Sequence, residues 1–151
     1  MGNKLSNKKF TKYVINLVKG ETIPDLILNI LRENGFLHFG MGDFKEVFEH
    51  PSNNKLLVKV YLEKDAWKFD SYRVPKLIKP YYLKPLYRDK FIIIQPKANG
   101  LIKPGKNVIP LPEMFYGVDD IYDVWGNNIQ IHNGREVIID FLSNKNGWIG
   151  Y

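Results

Sequence analysis

Residues 36–61 read FLHFGMGDFKEVFEHPSNNKLLVKVY, and this stretch decides the fold. It holds three runs rich in β-branched and aromatic residues, at 36–39, 44–50 and 56–61. The glycine-containing residues 40–43 separate the first two runs, and the turn-like residues Pro-Ser-Asn-Asn at 51–54 separate the last two. Such tight connections predict an antiparallel meander of three strands.

Two helices are predicted before this stretch. Residues 5–18 carry apolar side chains at helical spacing, and Gly20 is placed where that helix should end. Residues 24–33 begin with a proline, which suits the first helical position, and Gly35 suits the exit. We interpret both helices as packing elements.

The chain after this stretch predicts one more helix and four more strands. We expect a short helix over residues 63–72 and a loop over the proline-rich residues 97–117. The strands are expected at residues 82–87, 91–95, 128–131 and 136–139. Residues 88–90 form the predicted turn between the first two, and Asn133-Gly134 between the last two is a strong signal for a β-hairpin. The expected fold class is therefore α+β.

The composition is that of a basic globular protein. Hydrophobic residues make up 44% and aromatic residues 14% of the 151 residues, which excludes a disordered chain. The lack of cysteine excludes disulfides and thiolate catalysis and predicts a cytoplasmic location, and no apolar run is long enough for a transmembrane helix. The net charge of +6 favours an anionic partner, although nucleotide bias in a genome explains the scattered lysines equally well.

Two groups of residues carry chemical interest. Gly40 and Gly42 allow a close backbone approach to a phosphate, and Lys59 on the third strand can pair with phosphate oxygens. Asp123, Asn128 and Asp140 supply oxygen ligands of the kind that Mg²⁺ takes, with one carboxylate left to orient a hydroxyl nucleophile. The alternative for each group taken singly is an ordinary turn.

The order of these motifs resembles the protein-kinase-like superfamily. A glycine loop is followed by a strand lysine, then by Asp-x₄-Asn at 123–128 and by Ile-Asp-Phe at 139–141, and the final stretch is most similar to aminoglycoside-phosphotransferase and small atypical kinases. The resemblance implies an ATP site with nucleotide-binding positions at Gly40, Gly42, Lys59 and Gln95. It also implies that Asp123 acts with Lys59 in catalysis and that Asn128 and Asp140 hold Mg²⁺.

The fold implied is a truncated kinase-like fold in a single domain over residues 1–151. Residues 1–34 would form extra N-terminal helices, residues 35–98 an antiparallel sheet like that of the N-lobe, and residues 99–151 a much reduced C-lobe. The reduction is expected because eleven residues follow Asp140. Lys45 stands where the third glycine of the loop is expected.

The expected function is that of a minimal atypical kinase, which transfers the γ-phosphoryl group of ATP to a hydroxyl acceptor, with a protein among the candidate acceptors. One alternative is a pseudokinase, a binding module that docks on a larger partner protein and modulates it. A second alternative is a basic nucleic-acid-binding domain in which the motif matches are accidental. The sequence leaves open whether the protein is catalytically active.

The first six residues, Met1-Gly-Asn-Lys-Leu-Ser6, match the pattern for N-myristoylation of Gly2. Lysines of the first predicted helix could add a second, electrostatic signal for a membrane surface. We interpret the match as accidental, with lipidation of Gly2 as the alternative.

Overall fold

A computed structural model describes residues 4–41, 44–68, 79–98, 121–122, 129–139 and 142–143. The chain divides into two compact units, of which the first comprises Met1–Ala66 and Lys84–Lys97 and the second comprises Trp67–Leu83 and Ala98–Tyr151. The elements are α1 (Asn7–Val18), α2 (Pro24–Glu33), β1 (Leu37–Met41), β2 (Lys45–His50), β3 (Asn53–Tyr61), a 3₁₀ helix (Ala66–Lys68), β4 (Tyr87–Arg88), β5 (Ile92–Pro96), β6 (Ile121–Tyr122), β7 (Ile129–His132), β8 (Arg135–Ile138) and β9 (Leu142–Ser143).

Both predicted N-terminal helices are confirmed. Helix α1 begins after Ser6, whose Oγ accepts a hydrogen bond of 3.2 Å from the Lys9 backbone N–H and so caps the helix. Helix α2 has the predicted bounds, with Pro24 in its first turn. The chain leaves each helix through a glycine in the left-handed region, Gly20 at φ 83° and Gly35 at φ 84°.

The first unit contains a five-stranded antiparallel sheet in the order β1-β2-β3-β5-β4. The predicted meander of β1, β2 and β3 is confirmed, and β5 lies beside β3 on its other side. The predicted α+β fold class is therefore confirmed: two helices accompany this sheet in the part of the chain that the structure describes.

Helices α1 and α2 pack on one face of the sheet. Their apolar residues recur every three or four positions, so each helix has one buried stripe. The stripes join the inward residues of β2, β3 and β5 in one hydrophobic core, whose largest fully buried members are Phe10, Ile27, Leu31, Phe48, Leu56, Ile92 and Ile94. Neither helix has the length and apolar character needed to span a bilayer.

Several boundaries predicted from the sequence are wrong, and one of them is the start of β3 at Asn53, inside the turn expected at 51–54. Strand β1 runs on through Gly40 to Met41, where a turn was expected, and its register with β2 shifts between His38 and Gly40. Within residues 63–68 the predicted helix is only a three-residue 3₁₀ helix, and residues 69–72 lie outside the described residues. The strand expected at 82–87 is replaced by the two-residue β4, because Pro85 has no N–H to donate to a ladder.

The described part of the second unit consists of two short ladders. In the first, β6 pairs with β9, and in the second, β7 pairs with β8 as the predicted hairpin. Asn133 and Gly134 both have positive φ, 52° and 79°, which is the backbone that a type I′ turn requires and that Asn-Gly favours. Tyr82 adds an isolated parallel bridge to Ile138 on the outer side of β8.

Candidate functional site

Strand β3 alternates between two faces of the sheet, and both are buried. Leu56, Val58 and Val60 belong to the hydrophobic core and define the helix-covered face. The intervening residues, Leu57, Lys59 and Tyr61, point to the opposite side and define what we call the lysine face. Leu57 and Tyr61 are also buried, and Lys59 is only 7% exposed. Lysine is rarely buried to this extent in proteins.

One cross-strand row connects Lys59 to the glycine loop. Lys59 lies opposite Val47 of β2, and Val47 lies opposite Gly40 of β1. On the other side, Lys59 lies opposite Ile93 of β5, and Ile93 lies opposite Arg88 of β4. Because neighbouring strands are about 4.8 Å apart, Gly40 and Arg88 each lie roughly 10 Å from Lys59 along this row.

Gln95 also belongs to the lysine face. It lies opposite Leu57 and is only 2% exposed, so its amide is inside the protein rather than at the surface. Gln95 is a diagonal neighbour of Lys59, since Lys59 pairs with Ile93, two residues away on the same strand. The structure therefore brings three predicted site positions, Gly40, Lys59 and Gln95, together on one sheet.

Two further cations of this face were missed by the sequence analysis as site residues. Lys45, also 7% exposed, lies opposite Tyr61, and its Nζ is 5.9 Å from the centre of the Tyr61 ring. Arg88 Nη2 donates a hydrogen bond of 3.4 Å to the Tyr61 Oη. Tyr61 thus connects two cations that are distant in sequence. The alternation of side chains along a strand places Tyr61 on the same face as Lys59. The partners of Tyr61, however, follow only from the register of β2 and β4.

The carboxylate nearest in sequence to Lys45 is held on the opposite face. Glu46 lies opposite Val60, and both of its carboxylate oxygens accept hydrogen bonds of 3.1 Å from Arg32 Nη2 of α2. His38 Nδ1 lies 3.2 Å from one of the same oxygens. The charge of Glu46 is therefore directed to the helix-covered face, while the three cations Lys45, Lys59 and Arg88 share the lysine face.

The remaining predicted site residues, Gly42, Asp123, Asn128 and Asp140, lie outside the described residues. The strands that flank the last three are described. Tyr122 is paired with Leu142, and Ile129 is paired with Ile138. The two residues that flank segment 123–128 are therefore each paired with a residue that flanks segment 139–141. Among the described residues, no group of three or more histidines and carboxylates could hold a metal ion.

Comparisons of the chain with protein-family models, with curated proteins and with solved structures return no match. The functional interpretation therefore depends on the motifs, on the register of the sheet and on the chemistry of the lysine face.

Proposed function

We propose that the protein is a minimal kinase-like phosphotransferase that binds Mg·ATP and transfers the γ-phosphoryl group to a hydroxyl acceptor. The observation that carries the proposal is the row joining Gly40, at the end of β1, to Lys59, on the third strand of the sheet. Protein kinases place a glycine-rich loop over the phosphates of ATP and the phosphate-binding lysine on their third strand. Gln95 lies on β5, next to β3. This position agrees with the resemblance, in which that strand leads into the hinge that binds adenine.

In this proposal the lysine face binds the phosphate chain. Lys59 pairs with the α- and β-phosphate oxygens as a point charge, in a buried position where charge–charge attraction is stronger than in water. Gly40 leaves room for the backbone to approach the phosphates, because a Cβ atom built there has no neighbour within 4 Å and the space beside it is open.

Asp123, Asn128 and Asp140 would supply the reacting groups. The strand pairing supports this assignment. Segments 123–128 and 139–141 carry the catalytic and metal-binding positions, and both segments connect strands of the same two ladders. Asn128 and Asp140 offer an amide oxygen and a carboxylate, a donor set that suits Mg²⁺ together with substrate phosphates. When bound, Mg²⁺ offsets negative charge on the β- and γ-phosphates.

Asp123 would act on the acceptor. Its carboxylate accepts the proton of the acceptor hydroxyl as the new O–P bond forms. The bond between the γ-phosphorus and the β–γ bridging oxygen breaks, and ADP leaves with the bonding electrons. Lys59 and the glycine loop hold the phosphate chain in place during this displacement.

Nucleotide binding is tested first, by thermal unfolding with and without Mg·ATP. Binding to the folded protein at 100 times Kd should add about 2.7 kcal/mol to the free energy of unfolding and raise Tm. Lys59→Met should abolish most of this shift and leave the protein folded. Lys55→Met is the matched control, because it removes the same charge from an exposed position of the same strand.

The outcomes separate this proposal from its alternatives. No stabilisation by millimolar Mg·ATP would end the nucleotide assignment, and salt-dependent binding to nucleic acid would then favour the nucleic-acid-binding domain. If Lys59→Met unfolds the protein, Lys59 is chiefly structural.

Phosphoryl transfer is tested with γ-³²P-labelled ATP and a mixture of candidate protein and small-molecule acceptors. Asp123→Ala and Asp140→Ala should each lower transfer on the order of 10²- to 10⁴-fold. Stabilisation by Mg·ATP without any transfer would instead favour the pseudokinase, a nucleotide-binding module that acts on a partner protein.

A further inference from the structure

Most of the net charge of the chain comes from its first 20 residues. Of the 22 basic residues this segment holds five, and of the 16 acidic residues it holds none. The five basic residues are Lys4, Lys8, Lys9, Lys12 and Lys19. The other 131 residues contain 17 basic and 16 acidic residues, so they contribute only +1 of the net charge of +6. A segment of this kind favours an anionic partner.

Helix α1 exposes these lysines on the side opposite its core contacts. Lys8, Lys12 and Lys19 are spaced by four and then seven residues, so they follow one line along the helix. All five lysines are exposed, and their side chains form no ion pair or hydrogen bond within the part of the chain that the structure describes. We call this surface the basic helix face. The core contacts on the other side of α1 are Phe10, Val14 and Val18.

The basic helix face gives the fold itself no electrostatic benefit. Lys8 lies in the first turn of α1, at the positive end of the helix dipole, and this turn contains no acidic residue. Lys8 and Lys12 are also like charges four residues apart, which repel each other. An anionic surface beside the helix attracts both lysines and so offsets both effects.

The composition of this face favours a lipid surface over a nucleic acid. The aromatic side chains of α1 are turned inward, since Phe10 is fully buried and Tyr13 packs against the core. They are therefore not available to stack on bases, and residues 1–20 contain no arginine for a bidentate contact. Ile23, which is 53% exposed, lies four residues after Lys19 and offers an apolar side chain of the kind that enters the interfacial region of a bilayer.

The first acidic residues after this segment are engaged at the start of α2. Glu21 Oε1 accepts hydrogen bonds of 3.1 Å and 3.2 Å from the backbone N–H groups of Thr22 and Ile23. Asp25 lies in the first turn of α2, where the positive end of the helix dipole stabilises its charge. Both negative charges are therefore partly offset by backbone groups next to them.

We propose that the basic helix face is a docking surface for membranes that contain anionic phospholipids. The lysine ammonium groups are attracted to the lipid headgroups, while the apolar stripe of α1 stays in the hydrophobic core, so docking requires no unfolding. This inference depends neither on nucleotide binding nor on lipidation of Gly2.

The test measures co-sedimentation of the whole chain with vesicles of phosphatidylcholine, prepared with and without phosphatidylserine. The wild type should bind only the vesicles that contain phosphatidylserine, and added salt should weaken this binding. Lys8→Gln/Lys12→Gln should lower the partition coefficient about 25-fold, because each lysine near an anionic surface contributes about fivefold. Glutamine keeps the helix propensity of lysine, so Tm should stay the same.

Two control variants accompany this measurement. Lys8→Arg/Lys12→Arg keeps both charges and should bind as the wild type does. Lys55→Gln/Lys64→Gln removes two exposed lysines from elsewhere in the same unit. It should change binding less than about twofold, because charges away from the docking face are screened by salt.

Other results overturn the inference. Equal binding to both kinds of vesicle, or binding to neither, would exclude an anionic lipid surface as the partner. Equal losses for the two glutamine variants would show that binding follows net charge rather than α1. If the wild type binds a DNA or RNA oligonucleotide but no vesicle, and Lys8→Gln/Lys12→Gln weakens that binding, the basic helix face is a nucleic-acid surface instead. Loss of the fold in Lys8→Gln/Lys12→Gln would make these lysines structural residues.

Discussion

The two faces of β3 are both buried from Leu56 to Tyr61, yet they differ in chemistry. On the helix-covered face, β3 presents Val58 and Val60 to the apolar stripes of α1 and α2. On the lysine face, the same strand presents Lys59, and the neighbouring strands add Lys45 and Arg88. Burial of apolar area stabilises the first face by about 25 cal/mol per Å². Burial of a cation on the second face carries a desolvation cost, which pairing or hydrogen bonds must offset.

The difference indicates a division of roles within single strands. The first face is apolar, whereas the second also buries cationic side chains, which the proposed function assigns to the binding of a polyanion. Substitutions on the two faces should therefore change different quantities, and the predictions below test that separation.

The largest effect is expected on the helix-covered face. Phe48 is fully buried there, opposite Val58, and Phe48→Ala should lower the free energy of unfolding by about 3–5 kcal/mol through lost burial and a cavity. Urea denaturation measures the change. Lys59→Met, on the other face, should lower it by less than half as much. Equal losses at the two positions would break the comparison, since both faces would then be structural.

A smaller effect is expected at the one carboxylate of the helix-covered face described above. Glu46 is buried, whereas its partner Arg32 is about half exposed. Arg32→Met leaves a buried carboxylate short of its main partner and should destabilise the protein by about 2–3 kcal/mol. Glu46→Gln leaves Arg32 in water and should destabilise it by only about 1 kcal/mol.

Urea denaturation of both single variants and of the double variant measures this asymmetry. The double variant should lose less than the sum of the single losses, because the two residues act as one pair. If Glu46→Gln is the more damaging change, the ion pair contributes net stability, and the helix-covered face does not depend on apolar packing alone.

Much of the fold was predictable because its signals are local. Pro24 and Gly35 mark the bounds of α2, and Asn133-Gly134 marks the β7–β8 hairpin, through backbone preferences of those residues themselves. The short β4 was not predictable in the same way. Its pairing depends on the register of the distant β5, and composition at 82–87 does not encode that register.

The candidate site shows the same limit. The placement of Lys59 on a strand was predictable from the apolar run at 56–61. Lys45 and Arg88 were not identified as site residues, since their nearness to Tyr61 arises from pairing between strands rather than from spacing along the chain. The roles predicted for Asp123, Asn128 and Asp140 fall on residues outside those described and stay predictions.

A pH-dependent effect is expected at the edge strand β4. Tyr87 packs at the margin of the core, and its Oη donates a hydrogen bond of 2.7 Å to Asp89. Burial, followed by this hydrogen bond and the charge of Asp89, raises the pKa of Tyr87 from 10.0 to about 12. The folded state thus favours the neutral phenol. Its contribution to stability is fully present below pH 10 and is lost as the pH rises from 10 to about 12.

Tyr87→Phe should remove this pH dependence. The free energy of unfolding, measured in urea between pH 9 and pH 12, should fall with pH more steeply for the wild type than for the variant. At pH 9 the variant should be less stable by about 1 kcal/mol, the typical worth of one hydrogen bond. Parallel curves above pH 10 would mean that the Tyr87–Asp89 bond does not influence folding.

The smallest effect on stability is expected at Gly40. A change in ligand binding at this position can therefore be distinguished from a change in folding. Gly40 has no positive φ, and a Cβ atom there would meet no atom within 4 Å, so the fold itself does not require a glycine. Gly40→Ala should therefore leave Tm unchanged or slightly raised. Gly35→Ala, at φ 84°, should lower Tm through backbone strain and serves as the contrast.

Mg·ATP binding is then measured for Gly40→Ala. If phosphates approach the backbone at this position, the added methyl group should weaken binding about tenfold, a loss of about 1.4 kcal/mol without any loss of stability. Such a result would locate the requirement for glycine in the ligand rather than in the fold. Wild-type affinity of Gly40→Ala would show that Gly40 is an ordinary strand residue. The pairing that connects Gly40 to Lys59 would then have no role in ligand binding at Gly40.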